Sequence, residues 1–187
     1  LKGKTVLRVL MHSSMPLCIV ELLCLNKTDK IITQALKECR KALLEPEAKA
    51  ICMEYGISVP KFNVAKSEQE AAEFAEKTGF PVVLKIVSPD IIHKSDAGGV
   101  KVNLKTAEDV KAAYKTILEN AKKYNDKAAI VGVLVQEMAP QSTEVIIGSV
   151  KDPTFGQTIM FGLGGIFVEM LKDVTFRVAP LSEQDAN

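Results

Sequence analysis

With 187 residues, 47% of them hydrophobic and 25% charged, the chain is long enough to bury a core and too apolar to remain disordered. A net charge of +1 argues against nucleic acid as the main ligand. The four cysteines, Cys18, Cys24, Cys39 and Cys52, form no CxxC pair, and with only two histidines a Cys/His zinc site is not expected; reduced thiols in a cytoplasmic setting are.

Residues 1–30 read as an extension of uncertain structure. Lys2, Lys4 and Arg8 precede the apolar run MPLCIVELLCL, which superficially resembles a secretory signal. Glu21 interrupts that run, no small-residue cleavage site follows, and it is shorter than the ~20 apolar residues a bilayer crossing needs. No membrane association is therefore expected. From 31 to 44, Ile32, Ala35, Leu36, Cys39 and Leu43 recur at helical spacing. Glu45-Pro46 opens a second helix with an apolar face of Ala48, Ile51, Cys52 and Tyr55, stopped by Gly56. Short extended segments follow around Pro60. Ser67 with Glu70 forms a capping box for a third helix that ends at Thr78-Gly79.

An apolar strand is expected over 82–87, then a turn carrying His93, then a strand over 99–104. Thr106 with Asp109 caps a fourth helix whose stripe is Val110, Ala113, Ile117, Leu118 and Ala121. Residues 129–138 read as a buried strand turning polar at Gln136-Glu137. Further strands are expected over 143–150, 157–161 and 174–179, with a GLGG loop after the second. LSEQDAN reads as the start of another capped helix. Helices mixed with hairpin-joined strands give an α+β layered fold.

Several residues in this frame carry chemistry. Lys85 interrupts a buried strand, sharing a face with Val83 and Val87, where an ammonium group is costly unless an anion meets it. A nucleotide phosphate would serve; a strand-edge lysine reaching solvent is the equal alternative. His93 offers an imidazole nitrogen able to accept a phosphoryl group, though a lone loop histidine is usually only a surface residue. Lys94, Ser95 and Asp96 either orient such a group or form a solvated turn. Gly98-Gly99 and Gly162, Gly164 and Gly165 allow close backbone approach to phosphate, or simply tight turning. Neither glycine cluster matches GxxxxGK[ST] or GxGxxG. Backbone groups at Gln136-Glu137-Met138 could pair with an adenine edge, Glu144 with ribose hydroxyls and Arg177 with phosphate oxygens. Glu169 and Asp173 are weak Mg²⁺ candidates.

Four segments, LLEPEAKAICMEYGISVPKF, GFPVVLKIVSPDIIHKSDAGGVKVNL, GVLVQEMAPQSTEVIIGSVKDPTFG and MFGLGGIFVEMLKDVTFRVAPL, closely resemble the ATP-grasp (beta) subunit of ADP-forming acetyl-CoA synthetases. The resemblance covers about residues 31–187 and implies a partial ATP-grasp domain. The reaction it implies is acyl-CoA + ADP + phosphate ⇌ acid + CoA + ATP. It further implies Lys85 on the nucleotide phosphates, Gln136, Glu137 and Met138 as the adenine hinge, and Glu144 on the ribose. His93 matches the family histidine proposed to relay phosphate, and the 162–165 loop with Arg177 matches a second phosphate-facing segment. ATP or ADP with Mg²⁺ are the implied cofactors, and an alpha subunit or domain binding CoA and the acyl group is the implied partner. Two departures stand out: residues 1–30 have no counterpart, and the family's acidic Mg²⁺-binding segment is expected beyond Asn187. The isolated chain is accordingly expected to be weak or inactive. Another ATP-grasp carboxylate ligase, or a nucleotide-binding module without turnover, are the alternatives.

Overall fold

The computed structural model describes residues 26–140, 142–164 and 174–186. The expectations for residues 1–25, Gly165, Glu169 and Asp173 lie outside the described residues. The chain divides after Met138 into two compact units.

The first unit is built on an antiparallel sheet of β1 (Phe62–Ala65), β2 (Val82–Val87), β3 (Val100–Leu104) and β4 (Gly132–Glu137), in the order β1-β4-β2-β3. Two helices, α3 (Glu68–Thr78) and α4 (Ala107–Tyr124), cover one face of it. Strand alternation sends Val82, Leu84 and Ile86 from β2, and Val133 and Val135 from β4, into that layer. They meet Ala71 and Ala75 of α3 and Val110, Ala113, Tyr114, Ile117 and Ala121 of α4. The alanines let α3 approach closely. Each fully buried Val, Leu or Ile contributes about 1.5–3 kcal/mol, so this layer holds the unit together. Both helix starts form as their capping residues dictate: the Glu70 N–H donates to Ser67 Oγ (3.2 Å) and the Asp109 N–H to Thr106 Oγ1 (3.1 Å).

The opposite face of the sheet carries Phe62, Val83, Lys85, Leu134 and Gln136 in register. It looks towards α2 (Glu45–Glu54), whose Lys49 ammonium lies 5.4 Å from the centre of the Phe62 ring. One helix differs from expectation. α1 (Lys27–Lys37) starts at an Asn26 cap and ends seven residues before Leu44. Cys39 takes a left-handed φ of 55°, and the Arg40 N–H donates back to Ala35 O (2.9 Å), reversing the chain. Apolar spacing continued through this point, but Arg40 is drawn across to Glu47 (2.7 Å) at the start of α2, and that tertiary contact prevails. Leu36 and Tyr55, expected on apolar faces, are exposed.

The second unit contains a three-stranded antiparallel sheet of β5 (Val145–Asp152), β6 (Gly156–Leu163) and β7 (Val174–Val178). The turn between β5 and β6 is set by Asp152, whose Oδ1 accepts from the Thr154 and Phe155 N–H groups (both 2.8 Å). A short helix, α5 (Glu183–Ala186), begins where the sequence placed it, with the Asp185 N–H donating to Ser182 Oγ (3.3 Å).

Candidate functional site

Lys85 emerges from the centre of β2 on the face away from α3 and α4, half-buried as its neighbours require. Its Nζ donates to Glu45 Oε1 at 2.9 Å. The other oxygen, Glu45 Oε2, accepts from Lys94 Nζ at 2.6 Å. A third ammonium, Lys49, lies 3.7 Å from Glu45 Oε1 and donates to Gln136 Oε1 at 2.6 Å. One carboxylate thus gathers lysines from α2, from β2 and from the turn after β2. Burial alone would raise the Glu45 carboxyl. The hydrogen bonds from Lys94 and Lys85, and their charges, outweigh it and hold the group below its ordinary value. Burial pushes the Lys49 ammonium below its usual value; Glu45 opposes this, while Lys85 and Lys94 reinforce it.

His93 sits next to Lys94 on that turn, exposed, with Ser95 and Asp96 also exposed. The glycines behind it serve the turn itself. The Ala97, Gly98 and Gly99 N–H groups donate to His93 O, Ser95 O and Lys94 O, so they are engaged within the loop. Gly98 has φ +59°, and a Cβ there would meet Asn120 Nδ2 at 2.7 Å; one at Gly99 would meet Ile86 Cγ2 at 2.5 Å. The Asn120 amide in turn donates to Gly98 O (3.0 Å), fastening the turn to α4. At the end of β4, Gln136 is buried, while Glu137 and Met138 are half-buried. The Glu137 and Met138 N–H groups donate to Lys61 O (2.9 Å) and Pro81 O (3.2 Å). Both N–H groups are therefore already engaged within the first unit.

The remaining sequence candidates belong to the second unit. Glu144 is exposed and lies just before β5, its carbonyl accepting from the Gly164 N–H at 2.8 Å. A side chain at Gly164 would come within 3.0 Å of Glu144 Cβ. Gly162, expected in a loop, is instead inside β6 and pairs with Ile146 and Val174, because the ladder runs on to Leu163. Arg177, on β7, is exposed; its Nη1 donates to Thr175 Oγ1 and Phe176 O (both 2.9 Å). The register puts Arg177 on the Phe161 and Ile159 face, opposite to Ile146 and Met160.

Residues 34–187 match the family model of the ATP-grasp domain. The chain belongs to the ATP-grasp family. It is 55% identical over 160 residues to the beta subunit of acetate–CoA ligase [ADP-forming] I from Pyrococcus furiosus, spanning 86% of this chain and 68% of that one. It is equally similar, 55% over 161 residues, to the 4-hydroxybutyrate–CoA ligase [ADP-forming] of Nitrosopumilus maritimus, covering 86% of this chain but 23% of that longer protein. Among solved structures, it resembles the dinucleotide forming acetyl-coenzyme A synthetase 1 of Ca. Korarchaeum cryptofilum in complex with coenzyme A and Mg-AMPPCP. In that complex the phosphohistidine segment points towards the nucleotide binding site. The TM-score is 0.72 at 52% identity, covering 85% of this chain and 67% of that one. The chain therefore spans about two thirds of the beta-subunit relative and under a quarter of the longer one, and its ATP-grasp relatives are ADP-forming acid–CoA ligases.

The sequence singled out Lys85 and His93 as candidates in this ATP-grasp chain; Glu45 and Lys49, which the fold brings to Lys85, were not among them. Their signal was an i,i+4 Glu–Lys pair in EPEAK, ordinarily an exposed helix pair. Nothing local showed that α2 turns this pair towards β2. Among the described residues, no three His, Cys, Asp or Glu side chains gather as a metal site.

Proposed function

We propose that this chain provides the nucleotide-binding part of an ADP-forming acyl-CoA synthetase, acting in the cytoplasm with an alpha subunit or domain that carries CoA and the acyl group. The observation that carries the reading is the exposed His93 on the turn that also holds Lys94, with Lys94 and Lys85 joined through one carboxylate. A nucleophile adjacent to concentrated positive charge is the arrangement phosphoryl transfer requires. In the relay, an imidazole nitrogen attacks the phosphorus of a phosphorylated donor on the partner. The P–N bond forms as the donor's bond to phosphorus breaks. The terminal oxygen of ADP then takes the phosphoryl group, the P–N bond breaks and ATP forms. Mg²⁺ would neutralise the phosphates when bound with the nucleotide; the Korarchaeum relative is in complex with Mg-AMPPCP. Within the first unit, Gln136 to Met138 would meet the nucleoside, and Lys85 and Ser95 the phosphate tail.

The test incubates the chain and an alpha partner with radiolabelled ATP and Mg²⁺ and measures acid-labile, base-stable phosphate on this chain. The label is expected on the wild type and lost in His93→Ala. Equal labelling of both would sink the relay. Acid activation persisting in His93→Ala would favour an ATP-grasp ligase that phosphorylates its acid directly.

A further inference from the structure

The turn that carries His93 returns to the sheet through two consecutive glycines, Gly98 and Gly99. Glycine has the widest backbone freedom of any residue, so this is where the turn would swing if nothing held it. Both glycine carbonyls are pinned, each to a different layer. Gly99 O accepts from the Ile86 N–H of β2 at 2.8 Å. Gly98 O accepts from Asn120 Nδ2 of α4 at 3.0 Å. The first bond is backbone to backbone and asks nothing of side-chain identity; the second depends on one side chain.

That side chain and the glycine are matched. A Cβ at position 98 would lie 2.7 Å from Asn120 Nδ2, so the missing side chain is what lets the amide reach the carbonyl. The entry to the turn is also held: Asp90 Oδ2 accepts from the Ala129 N–H at 2.7 Å, just ahead of β4. Between the two ends Ile91 and Ala97 are buried, while Ile92 and His93 stand exposed at the crest. Bonds within the turn, from the Ala97 and Gly99 N–H groups to His93 O (3.3 Å) and Lys94 O (2.7 Å), set its shape. They do not set its angle to the rest of the unit; contacts to other elements do.

Resting on the relay reading above, we propose that Asn120 is a positioning residue for His93. Its amide fixes the Gly98 peptide, and through it the direction in which the imidazole is presented to phosphoryl donor and acceptor. Asn120 acts on the glycine carbonyl, not on the reacting atoms. In-line phosphoryl transfer is sensitive to such placement, because nucleophile, phosphorus and leaving group must lie on one axis.

The experiment uses the full chain with an alpha partner, radiolabelled ATP and Mg²⁺, and takes His93→Ala as the unlabelled baseline. Asn120→Asp keeps the size of the side chain but replaces the N–H donor by an acceptor, and Asn120→Ala removes the group altogether. Thr116→Ala, which deletes a hydrogen bond to Ala112 O one turn earlier on α4, controls for damage to the helix. The rate of acid-labile labelling is expected to fall by roughly ten- to a hundred-fold in both Asn120 variants. ATP affinity by calorimetry is expected to stay at the wild-type value, and Thr116→Ala to match the wild type in both measurements. Hydrogen exchange at the Gly98 and Gly99 amides is expected to be faster in the Asn120 variants alone. Wild-type labelling in Asn120→Asp and Asn120→Ala refutes the positioning role, whether or not exchange quickens, and leaves the relay standing. Labelling that falls only in step with ATP affinity refutes it too, since Asn120 would then act in packing. A wild-type chain labelled no more than His93→Ala overturns the relay and the positioning role together.

Discussion

Replacing Gly99 by alanine tests how the turn bearing His93 is held. The new Cβ would lie 2.5 Å from Ile86 Cγ2 and 3.0 Å from Lys94 O. Neither neighbour is the free end of a flexible chain: Ile86 is fully buried in the β2 core, and Lys94 O accepts from the Gly99 N–H at 2.7 Å. Overpacking of this sort costs about 1–3 kcal/mol. Ile86→Ala on its own removes buried methyl groups and costs about 2–5 kcal/mol. It also deletes Cγ2, the nearer of the two obstacles, so the double variant should be about 1 kcal/mol or more better than the sum of the singles. The chain has no tryptophan, and its three tyrosines, Tyr55, Tyr114 and Tyr124, all precede residue 139. Tyrosine fluorescence during urea unfolding therefore reports on the first unit alone, and Tyr114 sits in its core. Additivity within about 0.5 kcal/mol would refute the reasoning, because Ile86 would then not be what demands glycine.

Acid should loosen the lysine cluster. Glu45 has a folded-state pKa below its ordinary value of 4.5, so the stability it contributes is fully present above that value. That contribution is lost as pH falls through the lowered folded value, when the proton displaces Lys85 and Lys94. Urea midpoints taken from pH 7 down to pH 3 should decline less steeply in Glu45→Gln than in the wild type; parallel curves would contradict this. Thr106→Ala should cost about 0.5–2 kcal/mol by removing the cap of α4, while Thr106→Ser should restore most of it in the same urea assay.

What the sequence disclosed depended on how local the cause was. Thr106 with Asp109, and Ser67 with Glu70, announced helix starts because the capping bonds lie within a single turn of chain. The alternation around Lys85 was equally plain, since a strand's two faces follow from period two. The end of α1 was not legible, because it is set by Arg40 reaching Glu47 across the loop. Gly162 was misplaced for a related reason: pairing with Ile146 and Val174 on two other strands keeps it in the ladder. At the site, the lysine in β2 stood out, while the carboxylate that holds it lies 40 residues earlier in a helix with an unremarkable pattern. Family resemblance named the reaction; only the fold showed which side chains meet.

The β2 strand divides its duties between odd and even positions. Leu84 and Ile86 anchor it in the helical layer, while Lys85 between them serves the charged side. Hydrophobic anchoring and charge are thereby assigned to alternate positions along six consecutive residues. A substitution at residue 85 acts on the Glu45 ion pair and leaves the Leu84 and Ile86 packing in place.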